Sequence, residues 1–249
     1  METIPFWLPL VFFSVALCYA TVGFGGGSSY LAVLVLIGLP YYTIPQIALV
    51  CNLVVSAGGV WHFYKGGHLN FKKVVPFIVL SIPMAFVGGR LPVGRELFLI
   101  LLGVSLFAAG ARTFVPDRRT VVGNILSGKQ AWRLGLPIGG ALGFLAGVVG
   151  IGGGIFLAPV LILTGWANAK QAAAAAALFI IVNSGAGLLG QLSKGVYIDG
   201  MIIPLVLAVI LGGQIGSRLG AYRLRIAGVR RMLAVLILFV SIRLIWSAI

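Results

Sequence analysis

Negative charge is nearly missing from this sequence. Its 249 residues carry four Asp and Glu against eighteen Lys and Arg, and charged residues make up 9% of the chain. A soluble domain of ordinary composition carries about 25%. The four acids, Glu2, Glu96, Asp117 and Asp199, fall at the ends of apolar runs or in the links between them. No carboxylate therefore lies in mid-span, which excludes the usual proton- or sodium-coupling residue of a membrane carrier. Histidine and cysteine are scarce too, with two of each. His62 and His68 are not spaced as metal ligands, and Cys18 and Cys51 sit in apolar segments where they read as small buried hydrophobes. Without a nucleophile–base pair or a ligand cluster at membrane depth, neither an enzyme, a metal site nor a cofactor is expected.

What the sequence does have is apolar length. It is 60% hydrophobic, with a mean hydropathy of +1.13. Long apolar runs without a ten-residue alternation predict an all-α polytopic membrane protein rather than a barrel. The net charge of +14 does not point to nucleic acid, because the basic residues are scattered over short links between apolar runs. That is the pattern of topology-setting charge. The expected partners are the lipid bilayer and a small anionic substrate, with a homo-oligomer left open.

Glycine is abundant in one particular way. Gly23-Phe24-Gly25-Gly26-Gly27 and Gly150-Ile151-Gly152-Gly153-Gly154 each put four glycines in five residues in the middle of an apolar run. Each glycine costs a helix interior roughly 1 kcal/mol relative to alanine, so the motif predicts a broken helix. In hydrocarbon, the freed backbone groups need partners from protein, water or ligand. The first apolar region, about 6–39, divides into halves too short to span, so it is either one broken span or a hairpin of two short helices. Spans follow near 44–64, 74–91 and 96–114; then a second broken region at 134–166 precedes spans near 169–190, 201–219 and 229–248.

The two halves repeat. The glycine motifs align at an offset of 127, and an offset of 128 then pairs Ser56 with Ser184, Gly59 with Gly187, Gly67 with Gly195 and Pro76 with Pro204. The same offset pairs Gly88, Arg90 and Leu91 with Gly216, Arg218 and Leu219. The expected organisation is a first transmembrane repeat over 1–114, a cytoplasmic link over 115–133 and a second repeat over 134–249, about 8–10 helical segments in all. If each broken region is a hairpin, the halves are inverted and fourteen of the eighteen basic residues fall on one side. If each crosses once, the best split is ten to eight. The positive-inside rule favours the first arrangement: two inverted-topology repeats with broken or re-entrant glycine-rich helices, basic loops in the cytoplasm and both termini outside.

Gly150 to Pro159, reading GIGGGIFLAP, resembles the second glycine motif of the sulfite exporter TauE/SafE family. Gly212-Gly213-Gln214-Ile215-Gly216-Ser217-Arg218-Leu219, followed by Arg230-Arg231, is similar to that family's C-terminal signature. The resemblance covers nearly the whole chain. It implies a multi-pass permease of the bacterial inner membrane for sulfur-containing anions such as sulfite, sulfoacetate or organosulfonates. One departure stands out: Ser28 and Ser29 lie opposite Ile155 and Phe156, where the family usually has apolar residues. A more polar first copy implies a shifted substrate preference.

The candidate site follows from helix physics. Inverted repeats would bring the glycine breaks together near the midplane, with the helices starting at about Ser28 and Ile155 presenting their N-termini to each other. Each N-terminus carries unpaired N–H groups and roughly half a positive charge, an anion site without a buried cation. The candidate substrate-binding residues are Gly25, Gly26, Gly27, Ser28 and Ser29 in the first half and Gly152, Gly153 and Gly154 in the second. Polar residues within spans, Asn52, Ser56, Asn183, Ser184 and Gln191, are candidates to line it, although such groups also serve to bond neighbouring helices. Arg90 and Arg218, equivalent positions at span ends, either snorkel to the interface or recruit anions at the two mouths. Export driven by membrane potential is the expected mechanism. Uptake of a sulfonate or another small organic anion, with a proton carried by substrate or histidine, is the alternative.

Overall fold

The computed structural model describes residues 5–114, 128–195, 200 and 202–222, with a few isolated positions beyond. Nine helices and no strand occur among the described residues. The first half contains α1 (Leu8–Ala20), α2 (Gly27–Leu36), α3 (Ile44–Lys65), α4 (Phe71–Arg90) and α5 (Arg95–Phe114). The second contains α6 (Gly128–Val149), α7 (Gly154–Leu163), α8 (Ala169–Leu192) and α9 (Ile202–Tyr222). The expected last span at 229–248 and most of the 115–133 link lie outside the described residues.

Five helices, α3, α4, α6, α8 and α9, are long and apolar enough to cross a membrane. The chain is thus a helical protein of the membrane class. With 13 and 10 residues, α1 and α2 reach only about 20 and 15 Å. The second region differs from this scheme. Helix α6 begins at Gly128, six residues before the expected start, and its 22 residues give it about 33 Å. The basic residues Lys129 and Arg133, which read as link, form its first turns. Local chemistry sets several starts. Proline occupies the first turns of α1 and α3, where the missing N–H costs nothing. Asn168 and Gln171 close a capping box on α8, with Gln171 N–H donating to Asn168 Oδ1 at 2.9 Å.

Helices α3 and α8 form the centre and are buried more deeply than α4 and α9. The flanking helices turn apolar side chains outward, Val79 and Val87 from α4, Val104 and Phe107 from α5, Leu207 and Leu211 from α9. The contacts keep their pattern when the halves are exchanged. Helix α1 packs on α9 and α6 on α4; α9 packs on α3 and α4 on α8; α2 packs on α3 and α7 on α8.

Glycine ladders make these pairs. On α6, a Cβ at Gly139, Gly143 or Gly147 would strike the carbonyl oxygen of Phe77, Ser81 or Ala85 on α4. On α9, Gly212, Gly216 and Gly220 meet the carbonyls of Phe13 and Leu17 on α1 and of Thr21 at its C-cap in the same way. Lipid supplies no hydrophobic drive between helices, so backbone approach through small residues provides the cohesion. Both ends of the second region lie at the N-terminal end of α4. Gly135 of α6 touches Pro76, and Trp166 beyond α7 exchanges hydrogen bonds with Lys73, Nε1 to O at 2.9 Å and Nζ to O at 2.7 Å.

Gly139→Val is expected to force α6 from α4 and cost about 1–3 kcal/mol of overpacking, read as a lower melting midpoint of the detergent-solubilised protein. Gly94→Ala, where a Cβ meets nothing within 4 Å, is expected to leave the midpoint unchanged.

Candidate functional site

Each glycine motif ends one helix and starts another. After α1, the N–H groups of Val22 and Phe24 both bond to Tyr19 O, at 3.1 and 3.0 Å, and Gly23 and Gly26 take φ values of 78° and 88°. After α6, Gly150, Gly152 and Gly153 take φ values of 88°, 79° and 76°. Left-handed backbone at the first and fourth motif positions is shared by both copies. Any side chain there costs about 1–2 kcal/mol, which is why glycine is needed.

The two breaks meet at Asn52. Its Nδ2 donates to Gly150 O at 3.3 Å, and the residue is fully buried on α3. A Cβ at Gly25 or Gly27 would collide with the Asn52 amide, and one at Gly27 would come within 3.0 Å of Ile151 O. One at Gly152 would reach Ser184 Oγ at 3.1 Å and Asn52 Nδ2 at 3.2 Å; one at Gly25 would reach Ser56 Oγ at 3.1 Å. The exchange of halves holds here too: Gly23 abuts Ala173 at the start of α8, while Gly150 abuts Pro45 at the start of α3.

The junction is rich in uncommitted polar groups. Asn52 Oδ1, Ser56 Oγ and Ser184 Oγ are buried without a hydrogen-bonding partner among the described residues. Leaving such a group unpaired costs about 1–3 kcal/mol. In α2 the first backbone bonds are those of Ser29 and Tyr30 N–H to Gly26 O, at 3.0 and 3.1 Å. In α7 they are those of Phe156 and Leu157 N–H to Gly153 O, at 3.1 and 3.3 Å. The N–H groups of Gly27, Ser28, Gly154 and Ile155 precede these bonds and have no intrahelical acceptor. Two positive helix ends therefore flank the contact between the breaks.

The other candidates are placed differently. Ser28 is buried at the start of α2, whereas the Ser29 hydroxyl donates to Tyr19 Oη at 3.0 Å and ties α2 to α1. Asn183 is buried and donates to Phe179 O of its own helix at 2.8 Å, leaving Oδ1 without a partner among the described residues. Gln191 lies near the end of α8, where its Nε2 donates to Gly147 O at 3.1 Å and its Oε1 accepts from Lys194 Nζ at 3.1 Å. Arg90 and Arg218 are exposed near the ends of α4 and α9. His62 bonds through Nδ1 to Gly58 O at 2.8 Å and lies 3.0 Å from Ser217 Oγ, joining α3 to α9. Among the described residues no three His, Cys, Asp or Glu side chains come together.

Sequence reasoning missed Tyr30. Its ring stacks on Phe12 at 4.6 Å, and a Cβ at Gly26 would come within 2.9 Å of its hydroxyl, which has no partner among the described residues. The signal was available, since the matching position of the second copy is Leu157.

Gly27→Ala alone is expected to destabilise by driving a methyl into Asn52, and Asn52→Ala to relieve that collision. A double-mutant cycle on thermal midpoints should give a coupling of about 1 kcal/mol or more; additive effects would show that the two residues do not touch.

Comparison with known proteins places this geometry. Residues 8–244 match the family model described as Sulfite exporter TauE/SafE. The chain is 32% identical over 249 residues to the "Probable membrane transporter protein y4hK" of Sinorhizobium fredii (strain NBRC 101917 / NGR234), covering 99% of this chain and 100% of that one. It is 24% identical over 198 residues to the "Probable membrane transporter protein YunE" of Bacillus subtilis (strain 168), covering 71% of each. No solved structure matches it. A helical chain with five span-length apolar helices among its described residues, matched from near its first helix almost to its end, is thus a membrane transporter belonging to the sulfite exporter TauE/SafE family.

Proposed function

We propose that the chain is a secondary transporter of small sulfur-containing anions, with sulfite, sulfoacetate and organosulfonates as the class, bound where the two glycine breaks meet. The observation that carries this reading is the junction itself: Gly25, Gly27, Gly150 and Gly152 around Asn52, with Ser56 and Ser184 beside it. Hydroxyl donors and free backbone N–H groups suit an oxyanion, and glycine lets the ligand reach the backbone. Gly26 and Gly153 set the turns, and Gly154 and Ser28 supply N-terminal N–H groups. Ser29 and Asn183 support the walls through their bonds to Tyr19 and Phe179.

In this reading the broken regions are re-entrant and the halves are inverted in the bacterial inner membrane, with the basic loops cytoplasmic. The return of α7 to the α4 end beside which α6 starts favours a hairpin, and the contact pattern that survives exchange of the halves favours a two-fold relation. Broken helices of paired repeats that aim their N-termini at an anion recur in transporters. Transport is export driven by the membrane potential. With the inside negative, moving one negative charge outward gains ~2.3 kcal/mol per 100 mV, nearly fifty-fold in concentration at about 1.4 kcal/mol per decade. No carboxylate within the spans is available to couple protons instead.

In proteoliposomes, radiolabelled sulfite or a sulfonate is expected to move with a valinomycin-imposed potassium potential and to ignore a pH gradient. Flux that needs the pH gradient and ignores the potential would sink potential-driven export; accumulation against the predicted direction would establish uptake. Gly26→Leu and Gly153→Leu are expected to insert normally and lose transport. Near-normal flux in both would remove the glycine junction from the mechanism.

A further inference from the structure

A cavity with a mostly apolar wall and two polar side chains, Gln191 and Lys194, lies outside the junction. It has a volume of about 180 Å³ and is lined by Tyr41, Tyr42, Pro45, Val148, Gln191 and Lys194, among others. Because a water's share of liquid volume is about 30 Å³, this space admits a small anion with part of its hydration. Among the described residues its cation is Lys194, an exposed side chain held by one hydrogen bond. Lys194 sits in the turn closed by left-handed Gly195, after the end of α8. Gln191, only 4% exposed, uses both ends of its amide: Nε2 holds Gly147 O at 3.1 Å, and Oε1 accepts from Lys194 Nζ at 3.1 Å. A neutral amide oxygen fixes the ammonium without cancelling its charge, and no carboxylate pairs with Lys194 among the described residues. Burial alone lowers the Lys194 pKa from its ordinary value. Partial desolvation of an unpaired cation makes an arriving anion more favourable.

The position of the cavity matters as much as its charge. Its wall includes Pro45 and Val148, and a Cβ at Gly150 would come within 2.8 Å of Pro45 Cα. Gly150 is the residue whose carbonyl holds Asn52. One proline therefore separates the cavity from the second glycine break. The loop before α3 supplies Tyr41 and Tyr42, whose rings meet edge to face at 5.7 Å.

We propose that this cavity is an anion subsite at one mouth of the transport path. Lys194, held by Gln191 in a cavity that Tyr41 and Tyr42 also line, holds the small oxyanion between the glycine junction and solvent, on the outer face where an exported anion leaves. This assignment rests on the anion-transport reading and adds a residue that the sequence pattern did not single out. It predicts sidedness, because Lys194 follows the C-terminal end of α8 and so stands toward one face.

The test uses the full chain in oriented proteoliposomes, with initial rates for radiolabelled sulfite added on either face. Lys194→Gln is expected to raise the half-saturating concentration about three- to fivefold for sulfite arriving on the Lys194 face, with the maximal rate held within about twofold and the opposite face unaffected. Lys194→Arg is expected to restore the wild-type value, and Lys194→Met serves if the Gln variant inserts poorly. Unchanged half-saturation would overturn the subsite while leaving the transport reading intact. An equal fall in maximal rate from both faces would also overturn it, as a structural effect. Wild-type protein that moves neither sulfite nor methanesulfonate would overturn the transport reading and this subsite with it.

Discussion

Backbone-to-backbone approach at glycine is the constraint on which the other features depend. A membrane interior gives helices no hydrophobic reason to associate, so cohesion comes from packing density. Here Gly139, Gly143 and Gly147 seat α6 on α4, and Gly212, Gly216 and Gly220 seat α9 on α1. The ladder sits on the helix entering the break in one pair and on the long partner helix in the other. Both solutions give the same close crossing. The breaks at 23–27 and 150–154 are thereby held at fixed places against α3 and α8.

At the junction the same economy of side-chain volume becomes chemistry. Removing Cβ atoms at Gly25, Gly27 and Gly152 makes room for one buried amide, that of Asn52, between two helix starts. Its Nδ2 is fixed by the Gly150 carbonyl, and this orients Oδ1. The Ser56 and Ser184 hydroxyls lie at the same junction, and α2 and α7 begin there. Among the described residues the junction presents dipoles rather than a buried cation. Fixed positive charge stands farther out, at Lys194 beside its cavity.

The approximate symmetry is broken in side chains more than in backbone. Left-handed Gly23 and Gly26 match Gly150 and Gly153, yet Tyr30 and Ser29 bring hydroxyls to the first break where Leu157 and Phe156 stand in the second. Asn52 has Ile180 as its counterpart, so the central amide comes from one half only. A site built this way has a polar side and an apolar side.

Much of this was legible in the residues. Apolar run lengths give the helices, because lipid admits few other solutions for the backbone. Four glycines in five residues mark where helices stop, since propensity and φ > 0 act locally. The family was readable from two motifs in order. The extent of α6 was not: Lys129 and Arg133 look like link residues, yet tertiary packing of α6 along α4 extends the helix through them. Nor could the sequence separate Asn52, wedged between the two breaks 98 residues from Gly150, from Gln191, a similar buried amide that pins Lys194 at a cavity instead. Which polar residue meets which glycine is a long-range geometric fact. Local propensity carries the breaks; only the packed helices decide what stands between them.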